Sequence, residues 1–319
     1  MALPSYIDAF KSGGLHKKAE TALSMLESCA ICPRKCGINR LKDEKGFCRT
    51  GRNALVCSYF AHHGEEPAIS GTKGSGTIFF SRCNLKCLYC QNYDFSQLEE
   101  GRKAGASELA GYMLELQELG CHNINFVTPT HVMPQILEAL ILAVRDGLHI
   151  PLVYNTSGYE LPEMIRLLDG IIDIYLPDMR YADNAHAARY SLAPDYPEFN
   201  QRSVKEMFDQ VGIAKFDEND IIERGLIIRH LVLPQDLSST EQICAFIAKK
   251  LSPQVYISLM SQYQPCFEAE SNPPLDRRIT REEYARAVSS LKKYGLENGW
   301  VQESHGLERF AGTNIKRNI

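Results

Sequence analysis

A parallel β/α architecture is predicted from three observations: six short apolar runs, helical stripes between them, and capping signals at helix starts. The 319 residues are enough for one barrel-sized domain with a smaller appendage. Ala19, Ala22, Leu23 and Leu26 recur at helical spacing between His16 and Ser28, so the chain starts with a short amphipathic helix. A cysteine-rich segment follows. Gly71, Gly74 and Gly76 then read as a linker. From Thr77 the pattern becomes strand, loop, helix, repeated. The spacing predicts strands at Thr77–Phe80, Asn123–Thr128, Leu152–Asn155, Ile171–Leu176, Leu226–Leu233 and Val255–Met260. Leu109, Tyr112, Met113 and Leu116 form one intervening helical stripe; Ile136, Leu137, Leu140, Ile141 and Val144 form another. Ser238 with Glu241, and Thr280 with Glu283, have capping-box spacing. Periodicity alone does not separate a barrel from a doubly wound sheet.

With 44% hydrophobic and 23% charged residues, the composition is that of a globular domain and argues against extensive disorder. A net charge of −4 lacks the broad basic footprint of a protein whose main task is holding nucleic acid. Met1 to Gly14 lacks the apolar core of a signal peptide, and no window approaches the roughly 18 apolar residues of a membrane span. The expected location is therefore cytoplasmic. Eleven cysteines then point to reduced thiols and metal ligation rather than a disulfide framework.

Two cysteine groups carry the chemistry. Directly after the first predicted strand comes Cys83-Asn84-Leu85-Lys86-Cys87-Leu88-Tyr89-Cys90. Three thiolates from one short loop can hold three irons of a four-iron cluster and leave the fourth open to a ligand. Structural zinc normally takes four ligands, and this loop brings no fourth cysteine and no nearby histidine. Upstream, Cys29, Cys32, Cys36 and Cys48, with Cys57 available, make a closed soft-ligand set. That set suits either zinc or a second iron–sulfur cluster.

The three-cysteine loop resembles the signature of the radical S-adenosylmethionine (radical SAM) superfamily, with Tyr89 at its aromatic position. Further segments are similar to a group of iron–sulfur proteins akin to pyruvate formate-lyase activating enzymes. They are Cys29-Ala-Ile-Cys32-Pro-Arg-Lys-Cys36, His63-Gly-Glu65-Glu66-Pro, Gly74-Ser-Gly-Thr-Ile-Phe-Phe, Cys90-Gln91-Asn92, Val127-Thr-Pro-Thr-His131, Tyr154-Asn-Thr-Ser-Gly-Tyr159, Tyr175-Leu-Pro-Asp178 and Ile228-Arg-His-Leu-Val-Leu-Pro234. The resemblance implies a partial (β/α)6 barrel with its chemistry at the C-terminal ends of the strands. It also implies a 4Fe-4S cluster on Cys83, Cys87 and Cys90 whose open iron chelates S-adenosylmethionine. One-electron cleavage of that ligand yields a 5′-deoxyadenosyl radical that abstracts hydrogen. The expected organisation is a metal module over residues 1–70, the barrel over 71–270, and a C-terminal helix and tail over 271–319.

By the same resemblance, S-adenosylmethionine would be bound by Tyr89, Asn92, Thr128, Thr130, Asn155, Ser157, Asp178, Arg229 and His230. Hydroxyl and carbonyl oxygens of Thr128 and Thr130 suit its ammonium, and a guanidinium fork suits its carboxylate. Two departures stand out. Better-defined activating enzymes carry a Gly-Gly-Glu type segment where this chain has Thr128-Pro129-Thr130-His131. They also often carry Lys where this chain has Arg180, which supplies no neutral amine. Implied partners are a reduced flavodoxin or ferredoxin and a protein or peptide substrate, with a glycine as the leading target. The alternatives are a small molecule or another peptide position, and a non-enzymatic redox sensor. The glycines at 71–76 lack a phosphate-loop ending and are expected to give the backbone room beside the cluster. His62, His63, Glu65 and Glu66 read either as metal or proton-relay groups or as a solvated loop. Cys266 is expected to be inert, with a place facing the substrate as the alternative.

Overall fold

All six apolar runs become parallel strands of one sheet, in sequence order, in a computed structural model that describes residues 3–98 and 100–302. Helices α1 (Ser5–Lys11) and α2 (Gly14–Ser24) lead into an irregular segment carrying the first cysteine group. There follow β1 (Ala54–His62), α3 (Pro67–Ser70), β2 (Ser75–Phe80), α4 (Tyr93–Ser96), β3 (Arg102–Ala104), α5 (Ala106–Glu118) and β4 (Ile124–Val127). The middle of the chain contributes α6 (Met133–Arg145), β5 (Leu152–Thr156), α7 (Pro162–Leu167), β6 (Ile174–Pro177), α8 (Asn184–Ser191) and α9 (Tyr196–Val211). Last come β7 (Lys215–Phe216), β8 (Ile222–Leu231), α10 (Thr240–Phe246), β9 (Tyr256–Met260), α11 (Arg281–Lys293) and β10 (Gly299–Val301). The expected tail over 303–319 lies outside the described residues. Among the described residues no helix is long and apolar enough to cross a membrane.

The sheet order is β10-β9-β8-β6-β5-β4-β2-β1-β3, parallel from β2 through β10, with β7 on the side of β8. Sequential parallel neighbours joined by helices on one face make the predicted partial barrel. Strand periodicity divides the side chains between its two faces. Ile78, Phe80, Ile124, Phe126, Leu152, Tyr154, Tyr175, Leu226, Ile228, Ile257 and Leu259 face outward and share one core with α2, α5, α6, α9 and α11. Their neighbours Asn125, Val153, Asn155, Ile174, Leu176, Ile227, Arg229 and Ser258 alternate to the concave face.

Three features differ from expectation. Residues 54–62 form β1, antiparallel to β2, rather than part of a separate loop-rich module. Gly74 to Gly76 are not a linker beside the cluster: β2 begins at Ser75, at the barrel end opposite the cysteine loop. A Cβ on Gly76 would lie 2.7 Å from the Asn123 carbonyl, so glycine is needed there for β2 to approach the start of β4. Thr280 and Glu283 do form a capping box on α11. Ser238 does not cap α10, because Ser239 is in the left-handed region; Asp236 Oδ1 takes the Thr240 N–H instead, and Ser238 accepts from Leu233 N–H.

The connection from β1 to β2 folds back into the barrel. Its short helix α3 packs Ala68 and Ile69 against Val153, Ile174, Leu176 and Ile227, closing the bottom with an apolar layer. Glu65 and Glu66, immediately before that helix, are carried inside.

Candidate active site

The three-cysteine loop leaves β2 at its C-terminal end and is fastened from two sides. Lys86 and Leu88 donate backbone N–H groups to the carbonyls of Ser191 and Tyr190 at the end of α8, and Ala269 N–H donates to the Leu88 carbonyl. Donors also point at the sulfurs. Leu85 N–H lies 3.3 Å from Cys83 Sγ, the Ser191 hydroxyl 3.0 Å from Cys87 Sγ, and the Ser96 hydroxyl 3.1 Å from Cys90 Sγ. Hydrogen bonds to sulfur favour the thiolate, the form that ligates iron. Burial acts the other way: it lifts Cys83 to about 12 and raises Cys90. Three neighbouring thiols, Cys87 buried and Cys83 and Cys90 half-buried, met by sulfur-directed donors, fit a bound cationic cluster core, whose charge offsets that desolvation. All eleven cysteines are free thiols, and among the described residues no three Cys, His, Asp or Glu side chains already stand in a metal-binding arrangement.

Tyr89 lies buried behind the loop. Its hydroxyl meets that of Tyr181 at 2.5 Å, Tyr181 meets Ser191 at 2.9 Å, and Ser191 reaches Cys87. Its ring makes edge contacts with Tyr181 and Tyr263. The structure therefore places this ring in a packed relay supporting the sulfur. Cys266 lies against the same loop, its Sγ 3.5 Å from the Tyr89 carbonyl. Asn92 starts α4 and offers its backbone N–H toward Cys90, one of the influences holding that thiol down.

Three predicted ligand residues converge on the concave face. Arg229 donates from Nε to Asp178 at 2.8 Å, from Nη2 to Asn155 Oδ1 at 2.7 Å, and from Nη1 to Glu65 at 3.3 Å. Arg180 takes the other Asp178 oxygen at 2.5 Å, and Asn155 Nδ2 donates to Glu65 at 3.2 Å. All three guanidinium nitrogens of Arg229 are engaged within the protein, so it orders this network rather than offering a free fork. Nearby carboxylates keep Arg229 firmly protonated despite burial. The hydroxyl of Tyr196 lies 2.8 and 3.0 Å from the Ser157 and Asp178 carbonyls, tying together the ends of β5 and β6. The Ser157 hydroxyl is buried with no partner among the described residues. Thr128 ends β4 in the left-handed region with φ of 59°, an unusual conformation for a β-branched residue, and its N–H donates to the Asn155 carbonyl.

Two predicted ligands point elsewhere. His230, next to Arg229 on β8, faces outward, between the Met179 carbonyl at 2.7 Å and the Thr240 hydroxyl at 3.0 Å. The period of two that aims Arg229 inward necessarily turns His230 away. Thr130 donates its hydroxyl to Glu160 at 2.5 Å, and Thr156 bonds the same carboxyl oxygen. The side chains of both residues are engaged within the protein. His131, also in that segment, donates from Nε2 to the Ser81 carbonyl at 2.9 Å, and burial lowers it to about 3, so it stays neutral.

Sequence reasoning passed over Glu160 and left Glu65 and Glu66 between metal or proton-relay groups and a solvated loop. Glu65 and Glu66 are not a solvated loop: they lie inside the barrel, their carboxyls raised chiefly by burial, Glu66 to about 7. His62 lies close to Glu66 and is lowered by burial. Glu160 is 1% exposed and raised to about 7 by burial against the hydroxyl donors Thr130, Thr156 and Tyr154.

The first cysteine group gathers near the three-cysteine loop. Cys32 lies within electrostatic reach of Cys29, Cys36 and Cys48. Buried Arg40 donates to the Gly51 carbonyl and approaches Cys29 Sγ at 3.9 Å, and Phe47 N–H approaches Cys36 Sγ at 3.5 Å. Cys57 sits apart, on β1, packed with the Phe79 cluster. Arg34 joins the two groups: it donates to the Asn84 carbonyl inside the three-cysteine loop at 2.9 Å while lying 3.8 Å over the Phe47 ring.

A sequence profile described as the radical SAM superfamily matches residues 77–247, which run from β2 to α10 and include the cysteine loop. The chain belongs to the radical SAM superfamily. Among its relatives is a Methanocaldococcus jannaschii protein, MJ0674, 33% identical over 300 residues, covering 91% of this chain and 82% of that protein. A second protein of that organism, MJ0808, is 23% identical over 156 residues, covering 44% of this chain and 46% of its own length. Among solved structures, HydG, a maturase of the FeFe-hydrogenase, aligns with a TM-score of 0.47 and 11% identity, over 93% of this chain and 59% of HydG. Membership in the radical SAM superfamily implies a 4Fe-4S cluster and S-adenosylmethionine, and the Cys83, Cys87 and Cys90 loop is the ligand set that fits the cluster.

Proposed function

We propose that the protein cleaves S-adenosylmethionine reductively and abstracts a hydrogen atom from a substrate group held on the concave face of the barrel. The observation that carries this reading is the three-cysteine loop, secured at the C-terminal end of β2 and facing the polar Asn155–Asp178–Arg229 network. When bound, the cluster supplies the single electron that breaks the sulfonium bond. Cys83, Cys87 and Cys90 hold it, and the Tyr89–Tyr181–Ser191 relay fixes Cys87. Ser157, with a buried free hydroxyl, is the side chain best placed to meet the ligand at the strand ends. Arg229 holds Asp178 and Asn155 in register beneath it. A reduced flavodoxin or ferredoxin is the proposed electron donor, and Cys29, Cys32, Cys36 and Cys48 the proposed ligands of a second metal or cluster.

An activating-type reaction on a glycine of a protein partner is one form of this reading. Modification of a small molecule or a charged side chain is favoured by one observation: the floor of the interior carries Glu65 and Glu66, which a glycine backbone would not require. The test is formation of 5′-deoxyadenosine by the anaerobically reconstituted, reduced protein, compared with a Cys83/Cys87/Cys90 triple Ala variant. Product from the wild type alone supports the reading; none from a loaded and reducible protein refutes it.

A further inference from the structure

The barrel interior contains one more acid than it neutralises. Glu65, Glu66 and Asp178 face Arg229 and Arg180, and both guanidiniums are claimed by Asp178 and Glu65. Glu66 feels Arg229 and Ser258 but takes no guanidinium hydrogen bond: it is 8% exposed, and its Oε2 has no partner among the described residues. Against Glu65 stands Asn125, fully buried on β4, whose Oδ1 and Nδ2 both lack a partner among the described residues. Buried polar atoms are rarely left without partners, because each costs the desolvation of that group. Two acceptor oxygens, one on a carboxylate and one on an amide, therefore await a donor, and the Asn125 Nδ2 donor beside them is open as well. The surrounding excess of negative charge makes a cationic donor the best match. His62, the remaining titratable neighbour of Glu66, is held toward its neutral form by burial and does not supply that charge.

We propose that Glu66, with Glu65 and Asn125 beside it, binds the ammonium group of the substrate at the floor of the barrel, so that the enzyme acts on amine-bearing molecules or side chains. This rests on the radical-enzyme reading for the premise that the interior is the substrate site. The position suits a floor: α3 closes the barrel immediately below, and Glu66 reaches Ser258, the register neighbour of Arg229. An ammonium has three donors and can satisfy Glu66 Oε2 and Asn125 Oδ1 together. A neutral isostere would leave the carboxylate unpaired.

The experiment measures binding of n-butylammonium and n-butanol to the reconstituted full-length protein at pH 8 by calorimetry, with and without saturating S-adenosylmethionine. The expected result is at least about tenfold tighter binding of the ammonium, the scale of one charge-assisted hydrogen bond. Glu66→Gln should remove that preference, and S-adenosylmethionine should leave the ammonium affinity unchanged. Equal affinity for the two probes, or binding of neither, overturns the inference. So does competition between the ammonium and S-adenosylmethionine, which would assign the acids to the cofactor's own charge. If Glu66→Gln does not fold, the ratio of the two probes on the wild type decides. Deoxyadenosine formation is scored separately: cleavage without ammonium preference refutes only this inference, and ammonium preference without cleavage refutes only the radical-enzyme reading.

Discussion

Replacing Glu160 with glutamine should remove a specific pH dependence of stability. The carboxyl is buried among Thr130, Thr156 and Tyr154, and burial moves it from its ordinary 4.5 to about 7. At about 1.4 kcal/mol per pH unit, ionising it in the fold costs about 3 kcal/mol once the pH exceeds 7. The folded protein keeps this proton between pH 4.5 and 7, whereas the unfolded chain releases it. Stability is therefore fully present below about 4.5, falls as pH rises to about 7, and is level above that. Between pH 5.5 and 8 the contribution amounts to about 2 kcal/mol by the same linkage. Glutamine keeps an oxygen for the two threonine hydroxyls but carries no ionisable proton. Urea unfolding of both proteins at pH 5.5, 6.5 and 8 should show the variant gaining about 2 kcal/mol on the wild type across that range. Other buried groups titrate too, so the difference between the two proteins is the quantity to read. Parallel pH curves would refute the assignment of Glu160 as a buried, proton-holding carboxyl.

Three further outcomes are expected. Tyr181→Phe interrupts the relay between Tyr89 and Ser191 and should cost about 1–3 kcal/mol in urea unfolding, with lower iron content per protein after reconstitution; unchanged iron and stability would show that the relay does not support Cys87. His230→Ala should destabilise by a similar amount, about 1–3 kcal/mol, by stranding the Met179 carbonyl and Thr240 hydroxyl. Its affinity for S-adenosylmethionine should match that of the wild type, and a loss of tenfold or more would return His230 to the ligand shell. A Cys83/Cys87/Cys90 triple Ala variant should retain iron or zinc on the first cysteine group by elemental analysis, and finding neither would remove the second metal centre from the account.

The β/α order was legible because apolar runs and helical stripes are local signals, and all six predicted strands are present. The cysteine loop was legible for the same reason: its ligands lie within eight consecutive residues. What the sequence did not show was which way side chains face once register is set. Arg229 and His230 are adjacent and equally polar, yet only the parity of β8 decides that one enters the barrel and the other the helix layer. Thr130 looked available because its partner, Glu160, lies 30 residues away. Glu65 and Glu66 read either as functional groups or as a solvated loop; only the return of α3 beneath the barrel buries them. β1 was hidden by the cysteine-rich stretch before it and by its antiparallel pairing, which no β/α repeat announces. The failed Ser238 cap was a backbone effect: Ser239 adopts a left-handed conformation, leaving the capping role to Asp236.

The central claim is that the Cys83, Cys87 and Cys90 loop equips this barrel for reductive cleavage of S-adenosylmethionine. Its most direct test is anaerobic reconstitution with iron and sulfide, reduction with dithionite in the presence of S-adenosylmethionine, and mass-spectrometric detection of 5′-deoxyadenosine. The account predicts product from the wild type and none from the Cys83/Cys87/Cys90 triple Ala variant. A fully loaded, reducible wild type that forms no 5′-deoxyadenosine, or a triple variant that still does, would contradict it.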